Sequence, residues 1–297
     1  MKHSVLCVLA VLSLVSASAC HRREPDAPAV ATASVKLNHD RAPLGSPLDI
    51  TYKFVVASDA RFEEDYRVMA HVVDPDGEII WTDDHNPPVP TRSWKPGQTV
   101  EYTRTVFVPI YPYVGEAKIE VGLYSTRTQK RLVLSGQTNG QRAYEVARIQ
   151  LLPQTENVPS VFKEGWHPAE VVEHNAAVQW QWTKKEAVFA FKNPKKDSIF
   201  YFDVDNPGSA YKETQHVSLT LNGKPLDSFT VEPGKQELRK IPMKADQLGD
   251  GENAELHILV DKTYIPALLP AANSKDPREL GVRVFHDSNQ PRDSPVL

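Results

Sequence analysis

Turn signals break this 297-residue chain at short intervals. Its 24 prolines are spread along most of the length, and a proline inside a helix removes a backbone donor and clashes with the preceding turn. Dipeptides such as Asp76-Gly77 and Asn222-Gly223 add further punctuation, the latter favouring the positive backbone angles of a tight hairpin. The runs between these breaks are rich in Val, Ile, Phe and Tyr, residues that suit a pleated, half-buried surface. The predicted fold class is therefore all-β.

In the first half, strands are expected at Leu48–Val56, Tyr66–Val73, Ile79–Asp83, Thr99–Val108, Ala117–Tyr124, Lys130–Leu134 and Tyr144–Leu152. Short strands at this spacing predict an immunoglobulin-like β-sandwich over residues 34–152, although the usual cysteine pair and tryptophan are missing. The pattern lapses between 153 and 164, which reads as a linker. Strands resume at Ala177–Trp182, Ala187–Phe191, Ile199–Asp205, His216–Leu221, Leu226–Val231, Gln236–Ile241, Ala254–Val260 and Gly281–His286. They predict a second sandwich of jelly-roll type over 165–287, with 288–297 as a frayed tail.

The N-terminus has a different character. Lys2 and His3 precede an aliphatic run from Val5 to Val15, and Ser16 to Ala19 are all small, the three zones of a secretory signal. The run is shorter than the roughly 20 residues a membrane-spanning helix needs. Ala17-Ser18-Ala19 before Cys20 resembles the lipobox of bacterial lipoproteins, although the family usually has Leu where Ala17 stands. That resemblance implies removal of residues 1–19 and attachment of lipid to the Cys20 sulfur. Residues 20–33 mix charge, proline and alanine without periodicity and read as a flexible tether. Retention at the inner membrane typically uses Asp after the lipidated cysteine, whereas His21 follows here. The implied location is the periplasmic face of the outer membrane, with the lipid anchor making the membrane a partner.

Loss of the leader removes Lys2 and shifts the formal net charge from −4 to −5, that is −4 minus 1. This acidic balance and the lack of a basic block argue against nucleic acid as a partner. Cys20 would be the one cysteine left, so no intramolecular disulfide is available and stability must come from packing. No G-x-S-x-G, H-E-x-x-H, Walker loop, dinucleotide fingerprint or catalytic cysteine is present. The expectation is a protein without enzymatic activity, cofactor or metal.

Some residues still invite a chemical reading. Asp83, Asp84 and His85 are consecutive, two carboxylates beside an imidazole. Adjacent strand residues point to opposite faces, so the two carboxylates should diverge; capping a strand and fastening the Pro87-Pro88-Val89-Pro90 loop is the expected role. A hydrolase built on Asp83, Asp84 or Glu170 would need two carboxylates facing one cleft. Trp180 and Trp182 lie two apart and share a strand face. If that face points inward they belong to a core, and if outward they offer a stripe for stacking on sugar rings. Trp166, His167, Trp180 and Arg278 are the candidate ligand-binding residues, aromatics for stacking and an Arg fork for a carboxylate or hydroxyl.

YRVMAHVVDPDGEIIW, WKPGQTVEYTRTVFVP and YPYVGEAKIEVGLYSTRTQKRLVLSG resemble β-sandwich modules of bacterial polysaccharide-assembly and membrane glycosyltransferase systems. GWHPAE, WQWTKKEAVFAF, LTLNGKPLDSF and RELGVRVFH are similar to the accessory sandwich that often accompanies them. The resemblance implies a lipid-anchored envelope protein that binds carbohydrate or supports polysaccharide assembly or export. The alternative is a scaffold lipoprotein docked on an envelope protein complex.

Overall fold

A computed structural model describes residues 27–110, 113–138, 140–154, 160–172, 175–209 and 211–291. Cys20 and residues 1–19, read from sequence as a leader, lie outside them. The fold is all-β. The strands are β1 (Ala31–Leu37), β2 (Arg41–Pro43), β3 (Pro47–Val56), β4 (Tyr66–Val73), β5 (Ile79–Thr82), β6 (Thr99–Phe107), β7 (Gly115–Ser125), β8 (Tyr144–Leu152) and β9 (Val161–Phe162). They continue with β10 (Glu170–Val172), β11 (Asn175–Trp182), β12 (Glu186–Lys192), β13 (Ser198–Asn206), β14 (Gln215–Leu221), β15 (Lys224–Val231), β16 (Lys235–Met243), β17 (Asn253–Val260) and β18 (Arg283–Pro291). The α-helix α1 is a single turn, Ala245–Leu248.

The first half forms two sheets, ordered β1-β3-β6 and β2-β8-β7-β4-β5. This is the strand order of an immunoglobulin-type sandwich, in which the first strand divides between the sheets. Here β1 pairs antiparallel with β3, and β2 runs parallel to β8. Alternation sets the core: Leu48, Ile50, Tyr52, Phe54 and Val56 of β3 are buried, while the residues between them face the other way. Opposite them, Val68, Ala70 and Val72 of β4 and Ile119, Val121 and Leu123 of β7 close the same core.

In the second half, eight strands fill two sheets alternately. β11-β18-β13-β16 form one, with β10 added at an edge; β15-β14-β17-β12 form the other, with β9 added. In chain order these read 1-8-3-6 and 2-7-4-5, which is jelly-roll connectivity. Phe189, Phe191, Phe200 and Phe202 stack along the interior with Leu219, Leu256 and Ile258.

Several elements depart from the sequence expectation. β1 begins at Ala31, inside the stretch read as tether, and β9 lies inside the stretch read as linker. The expected strand at Lys130–Leu134 is reduced to one bridge between Arg131 and Tyr124. There the buried Leu134 gives its N–H to the Tyr144 hydroxyl at 2.9 Å, where a strand would give it to a ladder. Asp287 and the first two residues of the expected tail, Ser288 and Asn289, pair with Phe202, Tyr201 and Phe200 of β13, extending β18 to Pro291.

Two glycines permit close backbone approaches. Gly165 has φ +80°, and a Cβ there would lie 1.8 Å from the Glu186 carbonyl oxygen. A Cβ on Gly122 would stand 2.9 Å from the Arg142 carbonyl oxygen, so glycine lets the segment carrying Arg142 cross β7.

Candidate functional site

The outward face of β4 and β7 carries a polar groove. Arg67, Met69 and His71 alternate with the core residues of β4, opposite Tyr124, Gly122 and Glu120 of β7. Met69, His71, Asp84, Tyr124, Gln129 and Arg131 line a depression of about 190 Å³. A wider, shallower hollow of about 450 Å³ continues from Gln129 and Arg131 to Gly140, Gln141 and Arg142. The sandwich supplies the floor, and the turns after β5 and β7 supply the walls.

Asp84 organises one wall. Its Oδ1 accepts the Ala70 N–H at 3.0 Å and lies 3.3 Å from His71 Nε2. Burial lowers the His71 pKa, more than the Asp84 charge raises it; the imidazole is neutral at pH 7. The Tyr124 phenol is pushed up, first by burial and then by the Asp84 charge, so it remains a neutral donor. The Arg67 guanidinium carbon lies 5.9 Å from the Tyr124 ring centroid, and its Nη2 donates to the Asp84 carbonyl at 2.8 Å.

Asp83 turns the opposite way, as the alternation argument requires. Arg104 grips it through Nε and Nη2 at 2.7 to 3.1 Å, and the Tyr52 hydroxyl donates to Oδ2 at 3.0 Å. His85 Nδ1 lies 2.6 Å from the Asp83 carbonyl. A carbonyl only accepts, so Nδ1 carries the proton and Nε2 accepts the Tyr102 hydroxyl at 2.7 Å. Burial raises the Tyr52 and Tyr102 pKa values and lowers that of His85. Every member has a partner within this knot, which ties β3 and β6 to the segment after β5. Glu170 lies in the second sandwich, bonded to Arg278 at 2.7 Å. Asp83, Asp84 and Glu170 therefore share no cleft.

The four ligand candidates are all in the second sandwich. Trp166 packs against its core, and Nε1 donates to the Val188 carbonyl at 2.8 Å. The buried His167 donates from Nε2 to the Glu279 carbonyl at 2.7 Å. Arg278 is held by Asp276 and Glu170. Trp180 shares a strand face with Trp182, which pairs with Arg283 and through it with Asp205. That face points away from the phenylalanine core: Trp182, Tyr264 and Leu280 form a separate cluster, joined by Trp180, Tyr211 and Leu269. Arg283 lies 5.0 Å from the Trp180 centroid and 5.2 Å from that of Phe285, while bonding Asp205 at 2.5 and 2.7 Å. The tryptophan stripe thus points away from that core, with Trp182 buried and Trp180 partly buried. Among the described residues, Trp180 Nε1 is buried without a partner.

Sequence reading did not single out Tyr124, Gln129, Arg131 or Arg142 as site residues. The signal available was Arg67-x-Met69-x-His71, a polar-leaning alternation on a strand whose other face is fully apolar. Among the described residues, no group of three or more His, Cys, Asp or Glu is placed to hold a metal.

No protein-family model matches the chain, and no curated protein sequence matches it significantly. Among solved structures, it is similar to the C-terminal domain of Wzt at 10% identity and a TM-score of 0.32, covering 43% of this chain and 77% of that one. It is similar to the BtGH115A 4-O-methyl-α-glucuronidase at 13% identity and a TM-score of 0.34, over 52% of this chain and 20% of the enzyme. A third similarity is to the CBM51-2 and INT domains of Clostridium perfringens ZmpB, solved with GlcNAc: 10% identity, a TM-score of 0.27, and coverage of 87% and 40%.

Proposed function

We propose that this protein is a non-enzymatic, lipid-anchored envelope protein that binds carbohydrate through the groove between β4, β7 and the Gln129–Arg142 region. One observation carries the reading. The groove is concave and polar, with an aromatic ring, a carboxylate, an amide and a guanidinium converging on a depression of about 190 Å³. A sugar presents a ring face that stacks on an aromatic and hydroxyls that need both donors and acceptors. Tyr124 supplies the first, and Asp84, Gln129 and Arg131 supply the second. A purely hydrophobic ligand would leave these groups unpaired, at a cost of about 1–3 kcal/mol each.

In this reading Cys20 carries the lipid, residues 20–30 form the tether up to the start of β1, and the two sandwiches stand off the periplasmic face of the outer membrane. The domain limits proposed from sequence, 34–152 and 165–287, follow the same logic, with the first sandwich starting at Ala31 and the second reaching from β9 to Pro291. The scaffold alternative draws on the exposed apolar edges of the second sandwich, where Val161, Val171 and Val172 are 54%, 53% and 39% exposed. Edge strands of this kind are pairing templates.

A glycan array probed with the full chain, its Tyr124→Ala variant and its Trp180→Ala variant separates the readings. Binding lost with Tyr124→Ala and retained with Trp180→Ala supports the groove; the reverse pattern moves the site to the tryptophan face. No binding to any glycan favours the scaffold. Loss of lipid labelling in Cys20→Ser tests the anchor.

A further inference from the structure

We propose that the sugar taken by this groove bears an oxyanion, a carboxylate or a phosphate, recognised by Arg131 and Arg142 with Arg67 in support. The inference rests on the carbohydrate reading above and adds the ligand's charge.

The arginines of this protein divide in an informative way. Arg104, Arg127, Arg148, Arg239, Arg278 and Arg283 are each held by at least one carboxylate. Arg41, Arg61 and Arg92 are exposed to solvent. Arg67, Arg131 and Arg142 are half-buried, and among the described residues none of them is in an ion pair. Arg131 lines both hollows and Arg142 the wider one, while Arg67 lies beside them against the Tyr124 ring.

Backbone carbonyls hold them in place. Arg67 Nη2 donates to the Asp84 carbonyl at 2.8 Å, Arg131 Nη1 to the Gln141 carbonyl at 2.9 Å, and Arg142 Nη1 to the Arg131 carbonyl at 2.6 Å. A carbonyl orients a guanidinium without neutralising it. Each fork has five donors, so most remain for a ligand, and Arg67 Nε is buried with no partner among the described residues. Guanidinium geometry matches carboxylate and phosphate oxygens two at a time.

The acidic groups nearby offset this charge only in part. Asp84 is already engaged by the Ala70 N–H and His71. Glu120 stands opposite His71 on β7. His71 is neutral, its pKa lowered by burial and further by Arg131. Three guanidiniums thus face two carboxylates in a chain whose overall formal charge is −4.

The test is titration calorimetry of the full chain against matched pairs: galacturonate oligosaccharides and their neutral methyl esters, then phosphorylated and unphosphorylated mannose oligosaccharides. The acidic member of at least one pair is expected to bind about tenfold tighter or more, with affinity falling between about 0.05 and 0.5 M salt as charges are screened. Which pair shows the difference identifies carboxylate or phosphate. Arg131→Gln should erase the difference within that pair, Arg131→Lys should restore part of it, and Tyr124→Ala should weaken both members together. Equal binding of acidic and neutral members, lost in Tyr124→Ala, overturns the charge assignment and leaves the carbohydrate reading standing. Absence of binding by every probe overturns both.

Discussion

Phe107, the last residue of β6, lies flat on the imidazole of His286 in β18, with centroids 4.1 Å apart and planes within 3°. The contact joins the two sandwiches. Beside it, Lys240 bonds both Asp49 oxygens at 2.7 and 2.9 Å, and Phe107 meets Tyr201 edge-on at 6.3 Å. This explains why almost all of β13 is buried: Phe200, Phe202 and Val204 face the jelly-roll core, while Tyr201 and Asp203 face the covered side.

Phe107→Ala should therefore cost about 1 kcal/mol, the usual range for a ring pair, and its effect should reach across the junction. Amide NMR shifts of Arg283 to Ser288 should move although they are far from the substitution in sequence. Unchanged shifts there would mean that the stacking does not persist in solution.

Asp83 is the most consequential carboxylate of the first sandwich, because its side chain is 10% exposed and bears a charge. Asp83→Ala leaves Arg104 and the Tyr52 hydroxyl without their partner, and a loss of about 3 kcal/mol is expected for breaking such a pair from one side. Tyr52→Phe removes one bond of the set and should cost about 1 kcal/mol. Urea unfolding distinguishes them, and equal midpoints for the two variants would refute the assignment.

His71 and His85 both have pKa values lowered by burial. Below about pH 6.5 the unfolded chain binds protons at these sites that the folded chain does not. Stability should be flat above that pH and fall as the pH drops toward the folded values, with a limiting slope of about 1.4 kcal/mol per pH unit for each histidine. His71→Gln should reduce the slope measured between roughly pH 7 and 5.5. A slope identical to the parent's would show that His71 titrates normally.

Arg278 and Arg283 have similar ion-pair geometry but different surroundings. Asp205 is 8% exposed and paired with Arg283, which also packs against the neighbouring Trp180 and Phe285 rings. Arg283→Ala should cost about 3 kcal/mol. Arg278 and its partners are about one-third to one-quarter exposed, so Arg278→Ala should cost about 1 kcal/mol or less. Thermal unfolding of the two variants side by side checks the order, and the reverse order would contradict it.

The all-β class, both sandwiches and most strands were legible in the sequence, because side-chain alternation and turn residues act within a few positions of one another. Alternation alone also predicted that Asp83 and Asp84 would part. β2 and β9, two to three residues long, carry too little pattern to read, and the polar end of β18 earns its place only by pairing with β13. The groove was illegible for a different reason. Arg67, Tyr124, Arg131 and Arg142 are spread over more than seventy positions, and no local pattern says that they meet. Nor does alternation say what covers a strand's second face: Trp180 and Trp182 point away from one core, and Trp182 is buried by Tyr264 and Leu280 from a remote segment. Local sequence determined which residues alternate and where the chain turns; only the packing of sheets and loops decided which charges were left without a counter-charge, because that depends on neighbours remote in sequence.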